Sequence, residues 1–153
     1  MRLTVVGEFV YHMAPVGTFQ ALGAADAVRQ RDLRVSEMTP LGDERFLVVE
    51  RTDQVTVVFE IDLTGATNIL GTVWDDVATA PSLERTADLA AAGIVPVAKT
   101  QRFVASSRPS ATPRFPPKLE GLALTADGRL FLINDDDFGI TGQATQINLV
   151  EGF

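Results

Sequence analysis

Read for the alternation of apolar and polar positions, the chain is a succession of short strand-like runs separated by turn residues. Residues 3–11, "LTVVGEFVY", mix β-branched and aromatic side chains with a glycine that marks a bulge, and predict a strand. Residues 19–33 are rich in Ala and Gly and weakly patterned, which predicts a loop with a short turn. From residue 35, "VSEMTPLGDERFLVVERTDQVTVVFEIDLTG" gives a strand, a Gly-Asp turn and a second strand over 45–50. A polar turn, a third strand over 55–62 and a Thr-Gly stop complete the order of an antiparallel meander.

Residues 70–117 interrupt this pattern as an insert. One short helix is predicted inside it: Ser82 is placed as N-cap, Glu84 lies in the first turn and Gly93 just past the end. Strand character resumes over 95–105. Pro109, Pro113, Pro116 and Pro117 then forbid a helix and favour an extended surface loop. "KLEGLALTADGRLFLINDDDFG" (118–139) restores the strand pattern, and "ATQINLV" closes the chain as another strand.

Two of these stretches align without a gap. "SEMTPLGDERFLVVERTD" (36–53) lies over "EGLALTADGRLFLINDDD" (120–137) at an offset of 84 residues, position 36 on position 120. Asp43 and Asp127, Arg45 and Arg129, and Asp53 and Asp137 coincide; "FLVV" faces "LFLI". Any two β-hairpins share some grammar, but agreement at the turn residues favours a repeat, with copies over 34–63 and 118–150. The fold class expected is all-β and mainly antiparallel, a single domain over 1–153. The units are β-propeller-like blades, with one short helix in the insert. A blade takes about 40–50 residues and a closed ring at least about four blades, so the propeller would be incomplete.

Composition narrows the function classes. A net charge of −7 argues against a nucleic-acid groove or an anionic membrane surface, both of which need clustered Lys and Arg. The absence of cysteine excludes disulfides, thiolate metal sites and cysteine nucleophiles. No apolar stretch approaches the roughly 20 residues of a membrane span. Glu8 breaks the apolar run at the amino end, so a soluble chain without its own signal peptide is expected. His12 is the single histidine, which makes a Ser-His-Asp triad or a histidine zinc site implausible.

The 118–139 stretch resembles the signature near the carboxyl end of the "esterase-like activity of phytase", or phytase-like, family. "LGDERFLVVERTD" with "VFEIDLTGATNI" resembles that family's preceding blade, and "AAGIVPVAKT" its connecting segment. The likeness spans roughly residues 33–150. It implies an antiparallel β-propeller, usually exported, with phosphatase or phytase-like esterase activity. The chain is about half the family's usual length and lacks the usual export signal, which suggests the carboxyl-terminal portion of such a propeller.

The candidate chemistry gathers at the ends of the second copy. Glu120 resembles the metal-ligating Glu of the "EG" motif in gluconolactonase-like propellers. Asn134, Asp135 and Asp137, near the next strand's end, add oxygens to a partial shell for a hard cation, Ca²⁺ being the candidate cofactor. An EF-hand does not fit, because its twelfth position is Gln146. A bound Ca²⁺ would offset phosphate charge, and Lys118, Arg114 or Arg129 would hold the phosphate. The alternative is a solvated acidic turn that discourages edge pairing. In the first copy, Glu50-Arg51 reads first as a local ion pair, with Arg51 kept as a substrate-binding candidate. Asp127-Gly128 reads as a turn, and Trp74 as a buried anchor. Two functions follow: a phosphomonoester hydrolase domain or fragment, or a non-catalytic binding or assembly module that forms homo-oligomers through sheet edges.

Overall fold

A computed structural model describes residues 3–140, 142 and 144–153. Seven strands form two sheets, mainly antiparallel, and helix is scarce. The first sheet runs β1 (Arg34–Gly42), β2 (Arg45–Arg51), β3 (Val55–Asp62) and β4 (Ala98–Ser106), in that spatial order. The second runs β5 (Leu119–Leu124), β6 (Leu130–Asn134) and β7 (Ile147–Val150). Neither sheet closes on itself among the described residues.

The chain divides into two compact units. One combines Met1–His12 with Asp62–Lys99; the other combines Met13–Ile61 with Thr100–Phe153. The second unit holds nearly all of both sheets and two apolar clusters. Alternation along β3 sends Val55, Val57 and Phe59 to one face and Val58 to the other. The first face packs on Ala14, Phe19, Ala24 and Leu33, which is what folds the segment before β1. Val58 joins Leu47, Val49 and Ala105 against Leu119, Leu122, Leu130 and Leu132, so the two sheets meet face to face. Thr39 of β1 also donates its hydroxyl to the Leu122 carbonyl of β5 at 3.0 Å.

The two hairpins share a register. Val35 pairs with Glu50 and Glu37 with Val49, with Ser36 bulged between; Leu119 pairs with Asn134 and Gly121 with Ile133, with Glu120 bulged between. Each bulge adds one residue to its strand, so Leu119 and Leu122, three apart, reach the same apolar cluster. The turns differ in conformation. Asp43 and Glu44 both take positive φ (52° and 60°), whereas at the second turn Gly128 alone does (79°).

Several expectations are corrected. Residues 3–11 form no ladder strand; Phe9 makes one isolated bridge with Asn68. The helix anticipated over 82–93 is a single 3₁₀ turn, Leu83–Arg85, because Ser82 makes no side-chain cap bond and the backbone leaves helical angles at Thr86. The one α-helix among the described residues, α1 (Val16–Ala21), overlaps only the start of the 19–33 stretch read as loop, and is held by the burial of Phe19. The first unit packs Val10, Ile69 and Ile94 with Trp74, Leu83 and Leu89; Trp74 packs against this cluster but is only partly buried, not the buried anchor expected.

Candidate functional site

The carboxyl ends of β2 and β6 and the start of β5 carry a network of alternating charges. Arg51, the last residue of β2, is nearly buried, and its guanidinium reaches three partners. It pairs with Glu120, lies 3.5 Å from the Asp53 carboxylate, and donates Nε–H to the Ser36 hydroxyl at 3.0 Å. Ser36 and Glu120 are the bulge residues at the matching ends of the two hairpins, so one arginine holds both of these bulges. The local Glu50-Arg51 pair expected from sequence gives way to this arrangement. Neighbouring strand residues point to opposite faces, and the fully buried Glu50 carboxylate accepts the Ala14 N–H at 2.9 and 3.2 Å.

Lys118 sits before β5 at φ 54°, and its ammonium pairs with Asp137. Its backbone N–H donates to the Asp53 carbonyl at 3.1 Å, and its carbonyl accepts from the Asp135 N–H at 3.0 Å, which binds three loops together. The hydrogen bond to Asp137, with the attraction of Asp137 and Asp53, holds Lys118 above its usual 10.5; partial burial and the Arg51 charge oppose it.

Asn134 is buried and fully engaged. Its Oδ1 accepts the Gln146 N–H at 2.7 Å, and its Nδ2 donates to the carbonyls of Ala144 (3.2 Å) and Asp135 (3.4 Å). Asp135 is exposed and accepts the Asp137 N–H at 3.0 Å in a tight Asx turn. Arg129 lies at the far end of the hairpin, 2.9 Å from Asp127 beside the β5–β6 turn. Six of the eight named candidates therefore converge at one end of the sheets; Arg129 stands apart, and Arg114 lines a hollow beside the network.

As arranged, the set does not fit a Ca²⁺ shell. Glu120 is held by Arg51, Asp137 by Lys118, and Asn134 spends both polar atoms on the β6–β7 connection. Among the described residues no three His, Cys, Asp or Glu side chains are grouped to hold a metal ion. What the arrangement offers instead is two cations poised among carboxylates that an anionic ligand would have to displace.

Two hollows flank the network. One, about 480 Å³, is lined by Asp32, Arg34, Thr52, Asp53 and Gln54 with Ala25, Ala27 and Val28. The other, about 290 Å³, is lined by Arg114, Phe115, Pro116, Pro117 and Gln146. Sequence reasoning missed Ser36 and Asp53 as members of the network and gave the buried Glu50 the wrong partner. Ser36 was marked by its alignment with Glu120, and Glu50 by a carboxylate ending the apolar run "FLVV".

The family model for phytase-like proteins, described as esterase-like activity of phytase, matches residues 2–138. The match takes in the amino-terminal segment that the sequence resemblance left out, and stops before β7. No curated protein and no solved structure matches the chain.

Proposed function

Because this chain belongs to the phytase-like family, we propose that it is a phytase-like, esterase-like hydrolase domain that acts on phosphomonoesters. The family match carries the reading, and the strand-end charge network supports it. In such a reaction a water oxygen bonds to phosphorus, the ester P–O bond breaks, and the alcohol leaves with a proton. Cations at this end of the sheets would supply positive charge to the phosphate oxygens, and the exposed Asp135 carboxylate would accept the water's proton.

The two hairpins of matching register are read as blade-like repeats of a β-propeller whose ring these residues do not complete. Export is proposed from the family resemblance alone. Calcium dependence is a separate proposal. A cation would have to take Glu120 from Arg51 and Asp137 from Lys118, and no step is routed through it here. Turnover of p-nitrophenyl phosphate by the purified chain tests the hydrolase, and p-nitrophenyl acetate separates an esterase from a phosphatase. No release of p-nitrophenol from either compound would sink the enzymatic reading. Turnover unaffected by chelation would sink calcium.

A second reading, an assembly module, has its own observation. Leu47 and Val49 are fully buried, yet Phe131 and Ile133, which stand at the matching register positions, line an outer face left partly open with Ile147 and Leu149. A second copy seated on that face would bury the same residues on both sides. Light scattering that finds only monomer at high concentration would argue against it.

A further inference from the structure

Four cations were candidates to hold a phosphate, and the structure separates them by whether their charge is already answered. Arg51 faces Glu120 and Asp53, Lys118 faces Asp137, and Arg129 faces Asp127. Arg114 has no carboxylate partner among the described residues. Its Nε–H donates to the Ser107 carbonyl at 2.8 Å, which leaves the Nη donors of this exposed side chain for a ligand.

The surroundings of Arg114 are equally selective. None of the residues that line its hollow carries a carboxylate, in a chain where acidic residues outnumber basic ones 20 to 13. Phe115, Pro116 and Pro117 give apolar walls, and Gln146 contributes a carboxamide. The loop is anchored through Phe115. Phe115 N–H donates to the Ser106 carbonyl at 2.9 Å, and its ring meets Phe103 edge-on at 5.7 Å. The hollow also adjoins the charge network through the chain itself: Pro117 precedes Lys118, and Gln146 N–H is bound by Asn134.

We propose that Arg114 and Gln146 form an oxyanion subsite that receives the phosphate group of a phosphate monoester, with Phe115 and the two prolines against its organic part. An arginine fork pairs with two phosphate oxygens at once, a geometry that a paired or mobile cation does not offer. The inference rests on the phosphomonoester reading above and names where that substrate is held.

The test is a titration of the full chain with inorganic phosphate and with phenyl phosphate, followed by calorimetry and by amide shifts. Wild type should bind both, phenyl phosphate severalfold tighter, with the Phe115 and Gln146 amides shifting. Arg114→Gln should lose about tenfold or more in affinity, as loss of a charge-assisted bidentate contact requires. Arg114→Lys should recover only part, and Arg129→Gln should bind as wild type. Equal loss in Arg114→Gln and Arg129→Gln, or no loss in Arg114→Gln, overturns the subsite. So does phenyl phosphate binding no tighter than phosphate. Should Arg114→Gln not fold, the wild-type amide shifts decide alone: shifts that spare Phe115 and Gln146 overturn it. Binding at Arg114 without turnover would leave the subsite standing and remove the hydrolase; turnover with unchanged binding in Arg114→Gln would do the reverse.

Discussion

Arg51 is where the two hairpins are tied, and its removal is the most informative single change. Arg51→Met takes away a nearly buried guanidinium and leaves Glu120, Asp53 and Ser36 without their shared donor. The expected cost is about 2 kcal/mol, since hydrogen bonds to charged groups are worth about 1.5–3 and Glu120 is partly solvated. Urea denaturation measures it. A loss below a few tenths would mean that the network does not hold the bulges. Lys118 makes a different, pH-dependent contribution. Its pKa is raised by the hydrogen bond to Asp137, so the stabilisation is present below about 10.5 and is lost as pH rises through the raised value. Wild type should therefore lose its advantage over Lys118→Met as pH rises above 10.5, read as converging urea midpoints. Parallel midpoints across that range would remove the Lys118–Asp137 pair from the account. At this scale the candidate site was legible as a list of residues but not as a set of partners. Residue types at a strand end announce charge; only the bulges at Ser36 and Glu120 decide which carboxylate meets which cation.

The β5–β6 hairpin depends on a close approach that its sequence states in one letter. A Cβ on Gly121 would lie 2.4 Å from Ile133 Cγ2, directly across the ladder. Gly121→Ala should therefore destabilise by about 1–3 kcal/mol through overpacking. In Gly121→Ala/Ile133→Ala the Cγ2 is gone, so the pair should lie close to Ile133→Ala alone; thermal melts of the three variants check it. Strict additivity would mean that the strain arises elsewhere. The strands of the sheets were legible because period-2 alternation is a local signal: β3 coincides with the predicted 55–62 and β2 runs one residue past the predicted 45–50, whereas 3–11 carries a like pattern and forms no ladder. The helices were not. The stretch over 82–93 has cap and stop residues, yet its apolar side chains Leu83 and Leu89 are claimed by Ile94 and Trp74, and it closes only one 3₁₀ turn. The stretch with α1 has no acidic first turn and no side-chain cap, and is helical because Phe19 must reach the Val55–Val57–Phe59 face. In both cases packing overrode propensity.

For the molecule as a whole, the distribution of apolar burial decides which part opens first. The unit that contains nearly all of both sheets has two clusters of buried aliphatic and aromatic side chains, with Leu47, Val49, Val55, Val57, Leu130 and Phe19 fully buried. The unit formed by Met1–His12 and Asp62–Lys99 rests on Val10, Ile69 and Ile94, with partly exposed neighbours. Apart from local turns, its backbone ties among the described residues are the Ile69 N–H to the Glu8 carbonyl, the Thr67 N–H to the Val95 carbonyl and the Val97 N–H to the Val10 carbonyl. Glu8 adds a penalty, because the charge of Asp75 pushes its carboxyl above the usual 4.5. A raised acid binds its proton more tightly in the folded state, so stability falls as pH rises through the window just above 4.5. Amides of Thr67, Ile69 and Val97 should thus exchange through local opening well before those of β2 and β3. They should be more protected at pH 4.5 than at pH 7 after correction for intrinsic rates, and Glu8→Gln should remove that difference. Hydrogen exchange followed by NMR measures all three. A single protection value shared by both units would show that they unfold as one, and would refute the ranking drawn from their cores.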